Sequence, residues 1–223
     1  MSIICVDQHA LFPLALCVVI LTGCASSPSS KYYQLNPGQS RTSVTRDVSP
    51  CQSLIFIAIG PVRMPDYLDQ YWIATLSGKH ELKLSEFDRW AASLEDNVNR
   101  VLVENVFSLL PADRFPVVRW TPYLESQVPA SYRVEVLVDG VEGTLGDSVP
   151  LKAEWGVFAK DRSLFLEKES RISEQINGRS YTTLVAAMSG ALGRLRRDIS
   201  GGIMSALPQE PTKKHLPQEG VSR

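Results

Sequence analysis

Apolar residues at Tyr132, Val134, Val136 and Val138 alternate with polar ones at Arg133, Glu135 and Asp139. A period of two places alternate side chains on opposite faces, so residues 132–138 are expected to form a strand with one covered face. Residues 149–160 and 164–176 extend the pattern and predict two further long strands. Such alternation marks an antiparallel sheet. Helical spacing appears twice. Phe87, Ala91, Leu94, Val98, Val101, Leu102, Val106 and Leu109 recur three or four residues apart while Glu95, Asn99 and Arg100 fall opposite, which predicts a helix over 88–110 stopped by Pro111. Leu184, Met188, Leu192, Leu195, Ile199 and Ile203 form a second stripe, predicting a helix over 181–206 after Asn177-Gly178 breaks the preceding strand.

Shorter signals fill the remainder. The apolar run 54–59 reads as a buried strand ended by a turn at Gly60-Pro61, and residues 71–76 and 80–84 read as a hairpin turning at Ser77-Gly78-Lys79. Residues 115–120 suit a short strand, residues 31–35 a brief aromatic one, and 36–52 a loop rich in Ser, Thr, Pro and Gly. Together these give an α+β fold: a mostly antiparallel sheet with two amphipathic helices packed on one face.

The only long apolar run, 10–21, is too short to span a bilayer and sits where the core of a signal peptide belongs. It ends in Leu21-Thr22-Gly23-Cys24, the lipobox order of an aliphatic residue, a small residue, Gly or Ala, then Cys. Small residues let the chain lie extended in a peptidase site, and the thiol accepts the diacylglyceryl group. The expected organisation is a lipoprotein signal peptide at 1–23 cleaved between Gly23 and Cys24, a lipidated tether at 24–30, one domain at 31–207, and a polar, proline-bearing disordered tail at 208–223. The segment 1–9 departs from the usual signal pattern, since it holds Asp7 and no Lys or Arg. Ala25 follows the cysteine where an aspartate would favour inner-membrane retention in enteric-type bacteria, so the outer membrane is expected, on its periplasmic face.

At 223 residues, 44% hydrophobic and 21% charged, the chain suits one globular core with appendages. Cys5 and Cys17 leave with the signal and Cys24 is acylated, so Cys51 alone remains and no internal disulfide can form. Asp7 also leaves, which matches 23 basic residues by 23 acidic ones. This balance argues against nucleic acid and against electrostatic adhesion to anionic lipid.

Catalytic chemistry finds few residues. His80 is the one histidine inside the domain, no zinc spacing or Gly-x-Ser-x-Gly elbow occurs, and no catalytic residue, metal or cofactor is expected. Glu95 with Asp96 point apart on a helix, and Asp66 with Asp69 sit in a loop. Arg194, Arg196 and Arg197 could grip phosphate, but a solvated helix face explains them better. Trp72, Trp90, Trp120 and Trp155 could wall a lipid groove, although core packing is preferred. Between Pro61 and Gln70, two prolines stiffen a loop in which Met64, Pro65, Tyr67 and Leu68 are candidates for partner docking, set against the alternative of a loop tucked onto the core.

Several motifs stand in one order: the lipobox, Tyr32-Tyr33-Gln34-Leu35, the 62–68 segment ending Pro65-Asp66-Tyr67-Leu68, Trp90-Ala91, Leu151-Lys152-Ala153-Glu154-Trp155, and Tyr181-Thr182-Thr183-Leu184-Val185-Ala186-Ala187. Together they resemble the ABC-type transport auxiliary lipoprotein family, of the PqiC or YmbA type, over about residues 31–207. The resemblance implies a non-enzymatic, lipid-anchored domain serving an MCE-type system. In such systems, ABC or integral inner-membrane components and periplasmic MCE-family proteins move lipids or other hydrophobic molecules. A homo-oligomer on the membrane is a second partner arrangement. The alternative function is a regulatory lipoprotein that binds a cell-wall or envelope-assembly enzyme; neighbouring genes for an MCE protein and a permease would favour the first.

Overall fold

Pairing between distant strands decides several local choices in the computed structural model, which describes residues 28–38, 54–125 and 130–207. Gly23, Cys24, Cys51, the leader and the 208–223 tail lie outside the described residues. Pro28, Ser29 and Ser30 are exposed and fall in a separate unit from the body that begins at Lys31.

The order of elements is β1 (Lys31–Tyr33), β2 (Ile57–Arg63), β3 (Trp72–Ser77), β4 (Glu81–Trp90), α1 (Leu94–Phe107), β5 (Val117–Arg119), a single turn α2 (Pro122–Glu125), β6 (Tyr132–Gly140), β7 (Ser148–Ala159), β8 (Leu164–Gln175) and α3 (Tyr181–Ala206). The strands form two sheets, β1-β4-β3 and β5-β2-β6-β7-β8. The α+β class holds, with a difference in the sheets. β2 runs parallel to both β5 and β6, and β1 runs parallel to β4, so both sheets are mixed. Parallel neighbours need long crossovers, and here the β3–β4 hairpin and α1 intervene between β2 and its partners. The three long strands β6, β7 and β8 pair antiparallel as their alternation predicts.

The expected helix over 88–110 begins late. Residues 88–90 belong to β4, because Lys31, Tyr32 and Tyr33 pair with Asp88, Arg89 and Trp90, while the Trp90 amide donates to the Tyr71 carbonyl at 2.7 Å. Phe87 and Ala91 share the helical spacing by coincidence, and tertiary pairing overrides it. The helix starts where Ser93 accepts from the Asp96 amide at 3.1 Å, an N-cap that satisfies an otherwise unpaired donor. Gly60-Pro61 likewise does not end its strand. β2 runs through it, with the register against β6 shifting between Ile59 and Val62. Gly60 takes φ +117°, which a side chain would resist, and a bulge tolerates the missing proline donor.

Both helices cover the five-stranded sheet, α1 over β2 and β5 and α3 over β7 and β8, and they also pack on each other. Val134, Val136 and Val138 register with Val157, Trp155 and Ala153, and all six are buried on the covered face. Helix α3 has the span its stripe predicts, capped by a reciprocal Ser180–Thr183 box. Trp90 and Trp155 are core residues, so they wall no open groove, whereas Trp72 is exposed. No helix among the described residues is long and apolar enough to cross a membrane.

Candidate functional site

The stiffened loop after β2 is where sequence reasoning located docking, and its geometry divides those residues. The amides of Leu68 and Asp69 both donate to the Pro65 carbonyl, at 2.9 and 3.3 Å, closing a tight turn. Residues four apart on such a turn share a side. Met64 and Leu68 accordingly point inward and join the main core, Leu68 with only 3% of its surface exposed. Their burial follows from the turn that Pro65 helps to form, and it leaves the outer side of the loop to the other candidates. Pro65 is half-buried, and Tyr67, on the outer side, is 40% exposed.

The loop is held at both ends. Asp69 Oδ1 accepts from the Glu95 amide at 3.0 Å, adding a second acceptor at the start of α1, and the Gln70 side chain donates to the Asp66 carbonyl at 2.8 Å. Burial, and then the neighbouring Asp69 charge, hold the Glu95 carboxyl above its ordinary value. The Tyr67 hydroxyl donates to Glu142 Oε1 at 2.9 Å, while Glu142 Oε2 accepts from the Val141 amide at 2.8 Å. Burial and this carboxylate push the Tyr67 phenol up to about 12. Four and five residues further along the chain come Tyr71, 62% exposed, and Trp72, over whose ring the Arg89 guanidinium lies at 6.0 Å. Tyr67, Tyr71 and Trp72 are thus three exposed aromatic side chains within six residues of one segment whose backbone these bonds hold. Tyr71 and Trp72 are additions to the sequence reading. Their adjacency to the loop was visible, but they read as a strand start, and their exposure is seen only in the fold.

Two of the four acids considered for proton transfer, Asp69 and Asp96, have structural roles. Asp69 caps α1, and Asp96 pairs with Arg119 at 2.5 Å. His80 is exposed at the β3–β4 turn. No group of three or more metal-ligating side chains occurs among the described residues. The cationic trio on α3 does not form a phosphate grip: Arg194 is engaged by Glu174 at 2.9 Å, and Arg196 donates to Asn105 Oδ1 at 2.9 Å.

That Asn105 oxygen also accepts from the Gly38 amide at 3.0 Å, Arg100 donates to the Leu35 carbonyl at 2.6 Å, and Ser189 accepts from the Asn36 amide at 3.1 Å. The segment after β1 is thereby fastened to both α1 and α3, with Leu35 fully buried. This clasp was missed in the sequence. Its signal was one polar residue, Asn105, beside the apolar Val106 of the helix stripe; Asn99, expected opposite that stripe, is also buried.

The sequence model of the ABC-type transport auxiliary lipoprotein component family matches residues 33–200. No match to a curated protein was found. Among solved structures, a crystal structure titled only as an uncharacterised protein is similar at 18% identity with a TM-score of 0.64, covering 79% of this chain and 99% of its own. A Xanthomonas campestris protein, XCC0632 of the DUF330 family, is similar at 13% identity with a TM-score of 0.58, covering 77% of this chain and 93% of its own. At these identities the two structures support the fold.

Proposed function

This chain belongs to the ABC-type transport auxiliary lipoprotein component family, and from that premise we propose that it is a non-enzymatic accessory, acylated on Cys24 and held on the periplasmic face of the outer membrane, that docks an MCE-type conduit moving lipids or other hydrophobic molecules. The lipobox Leu21-Thr22-Gly23-Cys24 and Ala25 support the anchor and its sorting. Six residues separate Cys24 from Lys31 and reach about 20 Å at most. The domain is therefore kept close to its membrane.

The observation that carries the docking role is the set of three exposed aromatics, Tyr67, Tyr71 and Trp72, on one pinned segment. Tyr and Trp supply large contact area with few torsions to freeze, and a loop pinned at Pro65, Asp69 and Glu142 loses little further entropy on binding. The test is co-purification of the MCE-family protein from native envelopes with the full lipoprotein and with its Tyr67→Ala/Tyr71→Ala variant. Loss of the partner at an unchanged melting temperature supports docking here. Retention of the partner contradicts it, and a change in mass of the lipoprotein alone points to a second copy as the occupant.

A further inference from the structure

The β3–β4 hairpin has two different ends. At one end Trp72 pairs with Arg89, and Arg89 is also the register partner of Tyr32 in β1. At the other, Ser77 pairs with Glu81 across an exposed turn of Gly78, Lys79 and His80. Because β1 is parallel to β4, the chain comes into Lys31 from the side of the hairpin tip. Five residue steps along β3 carry the tip about 17 Å from the level of Trp72. The six residues before Lys31 span a similar distance when extended.

Near that tip an apolar strip stands in the open. Leu82 is 42% and Leu84 50% exposed, and Leu82 lies directly opposite the half-buried Leu76. Lys79 sits in the turn, and Lys83 falls on the other parity of the strand. Exposed leucines beside a turn that carries Lys79, with Glu81 as the one acid there, are a composition that partitions at a bilayer interface. Two leucines alone bind weakly. An acyl anchor within reach raises their effective concentration at the bilayer and makes weak contacts count.

Resting on the anchored reading of Cys24, we infer that the tip of the β3–β4 hairpin lies on the lipid bilayer, with Leu82 and Leu84 in the headgroup boundary. The hairpin then acts as a foot that sets the tilt of the domain. Tyr71 and Trp72, at the opposite end of the same hairpin, are turned away from the membrane.

The test uses the full lipidated chain with Cys51→Ser, carrying an environment-sensitive fluorophore at Leu84→Cys, reconstituted in phosphatidylethanolamine and phosphatidylglycerol vesicles. The same label at Phe165→Cys, an exposed apolar position on β8, is the comparison. Brominated lipids are expected to quench position 84 roughly twofold or more, with a blue shift on reconstitution, and to leave position 165 unchanged. Adding Leu82→Ser should weaken the quenching while the protein still floats with vesicles. Flotation with an aqueous signal at 84, or with equal quenching at 84 and 165, overturns the hairpin contact and leaves the anchor standing. Failure of the lipobox-bearing protein to float overturns both.

Discussion

Trp155 lies against the backbone of Gly202, so closely that a Cβ placed on that glycine would collide with the indole ring. The contact joins the centre of β7 to the last third of α3, and the indole N–H donates to Ser170 Oγ at 3.1 Å, whose hydroxyl donates in turn to Asp198 at 2.8 Å. Strand, neighbouring strand and helix are thereby fixed at one point. Trp155→Ala should cost about 3 to 5 kcal/mol, as for other large buried aromatics. Gly202→Ala should cost about 1 to 3 kcal/mol by overpacking. In the Trp155→Ala background the glycine substitution should cost much less, because the ring it strikes is gone. Urea titration of the four proteins checks this, and strict additivity would contradict the contact.

The clasp on the segment after β1 gives a second expectation. Asn105→Ala removes the acceptor shared by Arg196 and Gly38, leaving two part-buried donors unpaired at a cost of about 1 kcal/mol. Amide exchange at Gly38 should accelerate more than exchange in β7. Asn105→Asp keeps an acceptor and should restore slow exchange; uniform acceleration across the domain would mean that the residue contributes only global stability.

The Tyr67 phenol, raised to about 12 from its ordinary 10.0, gives a pH signature. A raised folded pKa means that the folded state holds the proton more tightly. The corresponding stabilisation is fully present below pH 10.0 and is lost as pH rises toward 12. Solvent exposure makes it small. Ultraviolet titration should find a late-ionising phenol that Tyr67→Phe removes, while the Tyr33 phenol, also raised by burial and Asp88, remains; Glu142→Gln should shift the Tyr67 phenol downward. A titration unchanged by either substitution would contradict the pairing.

Much of this fold was legible from local pattern, and the remainder was not for specific reasons. Helix α3 was fully readable because its apolar stripe and Ser180 cap both lie within the segment itself. The extent of β4 was not, since residues 88–90 take their conformation from Lys31, Tyr32 and Tyr33, more than fifty positions away. The loop at 61–70 was recognised as unusual from its prolines and aromatics. Which of its residues face the core depended on a turn that composition alone does not reveal, so Met64 and Leu68 read the same as Tyr67. The role of Arg196 was hidden for a similar reason, because its partner Asn105 sits on another helix.

For the anchor, Cys24→Ala should leave an unprocessed precursor that takes up no labelled palmitate, and Ala25→Asp should move the protein toward inner-membrane fractions in an enteric host. Equal labelling of the alanine variant would remove the lipobox reading. An unchanged sucrose-gradient position for the aspartate variant would remove the sorting argument alone.

The central claim, that a membrane-held domain presents its Tyr67–Trp72 segment to an MCE partner, is tested most directly by crosslinking in living cells. A photoreactive residue in place of Tyr71, the most exposed of the three aromatics, should yield on illumination a covalent adduct with the MCE-family protein. The same residue in place of Phe165 should yield none. An adduct from position 165 and none from position 71 would contradict the account.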